Sequence, residues 1–221
     1  MIESVRCFCL EVTGDFACFT RPENKVERVS YPFITPSAAR SVFEAIYWHP
    51  PIRWSVNKIE ILSPIRWFNI TRNEVAARAS ERGKCIYVED SRQVKSARIL
   101  RDVAYRLHAA MTYCPPDGWI KNEDEGIAKY SHIFALRAER GRYYTYPYLG
   151  CREFSVRSVR LVKHPEIEAA HKPPIDVDID VGYMLYDIDY TDDSRRPMIY
   201  CPKVCHGIVE VPSWDSHEVL K

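Results

Sequence analysis

Thr35-Pro36-Ser37-Ala38-Ala39-Arg40-Ser41-Val42-Phe43-Glu44-Ala45-Ile46-Tyr47-Trp48-His49-Pro50-Pro51-Ile52-Arg53-Trp54-Ser55-Val56 is the stretch from which the fold is read. Threonine is a good helix N-cap, and proline suits the first helical position, where its missing N–H costs nothing. Ala39, Val42, Phe43 and Ile46 then fall on one stripe at helical spacing. The helix must stop by His49, because Pro50 and Pro51 can neither donate the next backbone bonds nor tolerate helical residues before them. Tyr47, Trp48 and His49 are therefore placed at the C-terminal end of a helix, beside a sheet edge rather than in mid-core. From Ile52 to Thr71 the chain is rich in β-branched and aromatic residues, which predicts two strands broken near Ser63-Pro64.

Working outward, residues 3–13 and 16–20 alternate or run apolar around Gly14-Asp15, which predicts a strand, a turn and a short extension. Arg21 to Arg28 is polar and reads as an exposed loop or hairpin tip. On the other side, residues 72–92 are mixed, with only Cys85-Ile86-Tyr87-Val88 strand-like. A strand pattern resumes over 93–113. A second helix is expected from about Asp124 to Arg140, with Gly141 past its end and Ile127, Tyr130, Ile133 and Phe134 as its apolar stripe. Lys129 and His132 lie three apart on a flank of that helix. Tyr143 to Val162 reads as strand punctuated by Pro147 and Gly150, and 163–174 as a loop. Two more strands are expected over 177–190 and 198–211. The order is that of an α+β chain. Residues 1–164 can be folded as a ferredoxin-like (RRM-type) βαββαβ unit with an inserted hairpin, and 165–221 as a small C-terminal antiparallel β-sheet packed on it.

The 221 residues are enough to bury a core without covalent staples. At 46% hydrophobic and 28% charged the composition is that of a globular chain. No apolar run approaches the roughly 18 residues of a membrane helix. Met1 to Arg6 lacks a basic stretch leading into an apolar one, so the reading is a cytoplasmic protein without signal peptide or membrane contact. The eight cysteines (7, 9, 18, 85, 114, 151, 201 and 205) read as free, mostly buried thiols. Cys201-x3-Cys205-His206 has no paired knuckle to complete a four-ligand zinc site. Asp176, Asp178, Asp180, Asp187 and Asp189 alternate with Ile, Val and Tyr, which predicts a solvent-facing strand edge rather than a metal cluster. A calcium-loop pattern, a Gly-rich phosphate loop and a G-x-S-x-G elbow are all missing, so the sequence calls for no metal and no cofactor.

Net charge is only +1, but it is unevenly spread. Between Lys129 and Lys163 there are eight Lys or Arg against Glu139 and Glu153; between Pro173 and Ser194 there are seven Asp and no Lys or Arg. The basic region also carries Tyr143, Tyr144, Tyr146 and Tyr148. Cations interleaved with aromatic rings suit RNA, whose phosphates pair with the former and whose bases stack on the latter. A solvated helix face followed by an ordinary Tyr-rich strand would look the same in composition. Tyr47, His49, Lys129, Tyr130 and His132 are chemically sufficient to cleave RNA without metal. That reaction needs a group to orient or deprotonate the 2′-OH, one to neutralise phosphorane charge and one to protonate the leaving 5′-oxygen. Each of them also has a plain packing, capping or surface role, and spacing alone does not assemble them.

Longer strings resemble a known family. Phe19-Thr20-Arg21-Pro22-Glu23, Lys25-Val26-Glu27-Arg28-Val29-Ser30-Tyr31-Pro32, Thr35-Pro36-Ser37-Ala38-Ala39-Arg40, Glu44-Ala45-Ile46-Tyr47-Trp48, Pro51-Ile52-Arg53-Trp54 and Pro64-Ile65-Arg66 are similar to the d-type (subtype I-C, Dvulg) branch of the fifth CRISPR-associated protein family. Tyr146-Pro147-Tyr148-Leu149-Gly150-Cys151-Arg152-Glu153-Phe154 resembles its second hallmark. The match runs from about residue 3 to residue 211.

The resemblance implies a ferredoxin-like RNA-binding domain with a β extension. The implied activity is a metal-independent endoribonuclease that cuts precursor guide RNA at the 3′ base of the repeat hairpin. The products would be a 2′,3′-cyclic phosphate and a 5′-hydroxyl. The enzyme would keep the 5′ handle of the crRNA and join the backbone and large subunits of the subtype I-C surveillance complex. The implied catalytic set is Tyr47 at the end of the first helix and a Lys-His pair on the second. Lys129 matches, whereas Tyr130 stands where the His is expected, which leaves His132, two residues on, or His49 as the acid or base. Arg21, Lys25, Arg28, Arg142, Tyr146 and Arg152 are the expected RNA contacts, from charge and loop position. Two other readings use the same basic-aromatic run: a non-catalytic subunit that holds the 5′ handle, and a duplex DNA binder.

Overall fold

The structure, a computed structural model, describes residues 5–24, 26–77, 85–119, 126–190 and 195–221. The elements in order are β1 (Val5–Ala17), β2 (Arg28–Val29), α1 (Pro36–Ile46), β3 (Ile52–Ile61), β4 (Arg66–Val75), α2 (Val88–Ser91), β5 (Arg92–Tyr113), α3 (Ile127–Glu139), β6 (Ser158–Val162), α4 (Pro165–His171), β7 (Ile179–Asp180), β8 (Met184–Ile188), β9 (Pro197–Tyr200), β10 (Lys203–Cys205) and β11 (Ile208–Glu210). One large sheet runs β6-β1-β5-β3-β11-β10-β7, with β2 and β4 also paired to β5; β8 and β9 form a second, two-stranded sheet. Apart from the parallel β2–β5 contact the pairings are antiparallel.

Helix α1 begins and ends where its sequence demands. The Thr35 hydroxyl accepts from the Ala38 N–H at 3.2 Å, and the Tyr47 N–H closes the last turn on Phe43 O at 3.1 Å. Ala39, Val42, Phe43 and Ile46 are buried. Helix α3 buries Ile127, Tyr130, Phe134 and Ala138. Phe134 locks both helices to one sheet face. Its ring lies 4.6 Å from Trp54 of β3, 4.7 Å from Phe8 of β1 and 6.0 Å from Phe43 of α1.

Several local expectations are corrected. Gly14-Asp15 is not a turn: β1 continues through it, because the 22-residue β5 supplies pairing partners from Val5↔Thr112 to Ala17↔Leu100. Gly14 is required by packing instead, since a Cβ there would overlap the side chain of Leu149. Cys85 to Tyr87 is not strand, and Val88–Ser91 is a helical turn before β5. Of Tyr143 to Val162 only Ser158–Val162 is strand, and residues 165–171, expected as loop, form α4. The two C-terminal strands are five short ones. Three of them extend the main sheet through β11 and β3, so only β8–β9 forms a separate small sheet. Asp187 does not face solvent: it is buried and receives two bonds from Arg40, at 2.8 and 2.9 Å, which tie β8 to α1. The thiols are mostly not buried either: Cys9 and Cys18 are, Cys151 is partly so, and Cys7, Cys85, Cys114, Cys201 and Cys205 are exposed.

A charged network crosses the sheet face opposite α1 and α3. Arg106 is fully buried and pairs with Glu60, itself 2% exposed. Lys58 and His108 also reach Glu60, each at 2.9 Å, and Arg106 donates to Lys172 O at 3.0 Å. Burial alone would raise the Glu60 carboxyl. The bonds from His108, Lys58 and Arg106 outweigh it and hold the group at about 2.

Candidate active site and RNA-binding face

The end of α1 and the start of α3 meet through aromatic rings. The centroids of Tyr47 and Tyr130 are 6.4 Å apart in stacked orientation. His49 lies 5.4 Å from Tyr130 and meets Trp119 edge-on at 5.6 Å. Tyr113, at the end of β5, stacks on Tyr130 at 5.9 Å. The Arg137 guanidinium sits 5.7 Å above the Tyr47 ring. Tyr47 is further held through its carbonyl, which accepts from Trp54 Nε1 at 3.1 Å. Tyr47 and His49 are half-buried, and Tyr130 is 2% exposed.

The structure thus brings Tyr47 and Tyr130 together, with His49 between helix end and helix start rather than capping α1. Lys129 precedes Tyr130 in the first turn of α3 and is exposed; His132 is also exposed. At about 100° per residue, His132 lies about 200° around the helix from Tyr130 and about 60° from Lys129. It shares the Lys129 flank, and Tyr130 faces the other way. His49 Nδ1 is buried without a hydrogen-bond partner among the described residues. Leaving a buried polar atom unmade costs about 1–3 kcal/mol.

The basic-aromatic run docks against this site. The N–H groups of Tyr144 and Thr145 both donate to Ala45 O in the last turn of α1, at 2.7 and 3.2 Å, and Arg142 N–H donates to Arg137 O at 2.9 Å. Tyr143 and Tyr146 meet edge-on at 5.6 Å, and the Tyr146 hydroxyl donates to Val156 O at 3.4 Å. Burial, with Tyr146 nearby, raises the Tyr143 phenol. Tyr144 and Tyr146 are 79% and 61% exposed, which leaves their faces open for stacking.

The other expected RNA contacts lie elsewhere. Arg21 covers the Tyr31 ring at 4.7 Å and pairs with Glu23 at 3.6 Å. Arg28 is tied to Glu153 at 2.8 Å and donates to Cys151 Sγ at 3.5 Å; Arg152 is exposed. Lys25 lies outside the described residues. The loop carrying Arg152 turns at Gly150, whose φ is +85° and where a Cβ would overlap the Cys18 carbonyl. Gly150→Ala should therefore destabilise the protein by at least about 1–3 kcal/mol, read as a lower midpoint in urea unfolding.

Tyr113, Trp119 and Arg137 are the site neighbours that the sequence did not single out. Each comes from a segment remote from Tyr47, and an aromatic or Arg at a strand or helix end carries no signal of its own. The β4–β5 hairpin adds two exposed pairs that were also missed, Arg98 over Trp67 at 4.6 Å and Arg101 over Phe68 at 5.7 Å. Among the described residues, no three His, Cys, Asp or Glu side chains gather as a metal site would require, and no helix is long and apolar enough to cross a membrane.

Residues 7–212 match the family model Cas_Cas5d, described as CRISPR-associated protein (Cas_Cas5). The chain belongs to the Cas5d family. Two similar relatives are both named CRISPR pre-crRNA endoribonuclease Cas5d. The one from Mannheimia succiniciproducens is 36% identical over 224 residues, covering 96% of this chain and 97% of the relative. The one from Thermus thermophilus is 38% identical over 201 residues, covering 91% and 81%. Solved structures share the Cas5d chain's fold. A CRISPR-associated protein superposes with a TM-score of 0.71 at 21% identity, covering 98% of this chain and 97% of that one. A functionally uncharacterized protein, SMU1763c from Streptococcus mutans, gives 0.70 at 18% identity with the same coverages, 98% and 97%. A chain of a CRISPR RNA-guided surveillance complex gives 0.52 at 13% identity, covering 93% and 88%.

Proposed function

We propose that this Cas5d chain is the endoribonuclease that cuts CRISPR repeat hairpins at their 3′ base, by metal-independent attack of the 2′-OH. It then retains the crRNA 5′ handle beside the backbone and large subunits of a subtype I-C surveillance complex in the cytoplasm. The observation that carries this reading is the meeting of Tyr47 with the Lys129-Tyr130 turn, at the point where an exposed tyrosine-rich basic segment is hydrogen-bonded to α1. In the reaction the 2′-oxygen bonds to phosphorus and the P–O5′ bond breaks. Tyr47 orients the 2′-OH, Lys129 neutralises charge on the phosphorane, and Tyr130 is the buried ring that fixes their spacing. His132, on the Lys129 flank, is exposed and turned away from Tyr130. The names of the two relatives support the substrate and reaction.

The strand order β6-β1-β5-β3, all antiparallel with α1 and α3 on one face, supports a ferredoxin-like unit. In it β4 and the first half of β5 are the inserted hairpin. On this reading residues 1–164 form the RNA-binding and catalytic domain and 165–221 its β extension.

The test is incubation with the cognate repeat RNA in EDTA, followed by end-group analysis. A 5′-hydroxyl and a 2′,3′-cyclic phosphate at the hairpin base are expected. Tight binding without cutting would instead favour a non-catalytic handle-binding subunit, the reading that Tyr130 in a histidine's place supports. Equal affinity for duplex DNA, also without cutting, would favour a general duplex binder. For the RNA face, Arg142→Ala and Arg152→Ala should each weaken binding and each lower the slope of log affinity against log salt by about one. Arg28→Ala, already committed to Glu153, should change the slope less.

A further inference from the structure

We infer that His49 is the histidine of the cleavage reaction, replacing from the end of α1 the imidazole that Tyr130 does not supply from α3; the inference rests on the proposed cleavage. Three observations carry it. His49 is two residues from Tyr47, and its ring lies 5.4 Å from Tyr130, so an imidazole occupies the neighbourhood of position 130 without belonging to α3. Nδ1 is buried in the aromatic cluster with no partner among the described residues, while the residue as a whole is only half-buried, so Nε2 is the nitrogen left to meet a substrate. His132, the other histidine in reach of the sequence motif, is exposed and points about 200° away from Tyr130 around the helix.

In the step assigned to it, His49 acts as the imidazolium: its Nε2–H gives a proton to the 5′-oxygen as the P–O5′ bond breaks, leaving the neutral imidazole. The 2′-OH proton passes to water as the 2′-O–P bond forms, and water reprotonates the imidazole after product release. The titratable and charged groups around the ring are Tyr130 from α3, with Lys129 one residue before it, and Tyr47 on its own segment. Tyr113 and Arg137 stand one ring further out, and Trp119, from the segment after β5, is the uncharged wall.

The experiment is single-turnover cleavage of the cognate repeat hairpin in EDTA, with the full chain and the variants His49→Gln, His49→Ala and His132→Ala. Binding is followed in parallel on a repeat carrying a 2′-deoxy nucleotide at the cut. Both His49 variants should lose about 10²–10⁴-fold in rate, the range of a general acid, with affinity for the uncleavable repeat little changed. His132→Ala should stay close to the parent rate.

A repeat whose leaving 5′-oxygen is replaced by sulfur separates chemistry from architecture, because a thiolate departs without a proton. His49→Gln should cut it at nearly the parent rate, whereas a merely structural defect would slow it as much as the ordinary RNA. Parent-like cleavage of ordinary RNA by His49→Gln, or an equal loss on both substrates, overturns the assignment. Failure of the unmodified chain to cut any repeat overturns the proposed cleavage itself, and that outcome is read separately from the variants.

Discussion

Tyr47→Phe combined with Lys129→Ala should slow cleavage of a repeat hairpin by at least about 10²-fold, while RNA binding falls far less. Tyr47→Phe keeps the ring that stacks on Tyr130 and lies under Arg137, so the cluster stays packed and only the hydroxyl is lost. Lys129 is exposed, and its truncation removes a charge without opening a cavity. Positioned proton handling and preorganised charge each contribute about 10²–10³-fold or more in such sites. Residues that act on one transition state are not additive, so the double variant should be only modestly slower than the worse single one. Single-turnover rates in EDTA, beside affinities for an uncleavable repeat, measure this. Full activity in the double variant would move the site away from the α1–α3 junction.

The largest stability effect is expected on the opposite sheet face. Glu60→Leu leaves Arg106 fully buried with its carboxylate partner gone, and removing one member of a buried ion pair costs about 3–5 kcal/mol. Glu60→Leu combined with Arg106→Leu should recover much of that loss, because the fully buried Arg106 charge is then gone together with its partner. Urea unfolding of the two variants checks both statements. The same network sets an acid dependence. Glu60 sits at about 2 in the folded chain against an ordinary 4.5, so the folded state binds its proton less readily than the unfolded one. Its contribution is complete above about pH 4.5 and disappears as pH falls through about 2. An unfolding midpoint that did not drop over that range, beyond the drop seen in Glu60→Leu, would contradict the pairing.

Much of this was legible in the chain, for local reasons. Thr35-Pro36 and Pro50-Pro51 set the two ends of α1, because capping and the missing proline N–H act within a few residues. The stripe of Ile127, Tyr130 and Phe134 set the buried face of α3 by periodicity alone. The Phe19–Tyr31 and Tyr146–Phe154 strings were enough to place the chain in its family. What was misread was misread because a distant partner decides it. Gly14-Asp15 has the composition of a turn, but β5 offers a full-length partner and Leu149 needs the space of a missing Cβ. Asp187 alternates with apolar residues like an exposed strand acid, until Arg40 of α1 meets it. The 143–157 segment has the β-branched and aromatic content of a strand, yet spends its first N–H groups on Ala45 and turns at Gly150.

For the site the division is sharper. Sequence by itself determined the family, the helix end that carries Tyr47 and the helix that carries Lys129 and Tyr130. Tertiary structure alone decided what surrounds them. It set His49 against Tyr130, closed the cluster with Tyr113, Trp119 and Arg137, and turned His132 outward. The physical reason is range: caps, breakers and periodicity act along the chain over a few residues, whereas ring contacts and buried polar atoms depend on which segments the sheet brings to the same edge.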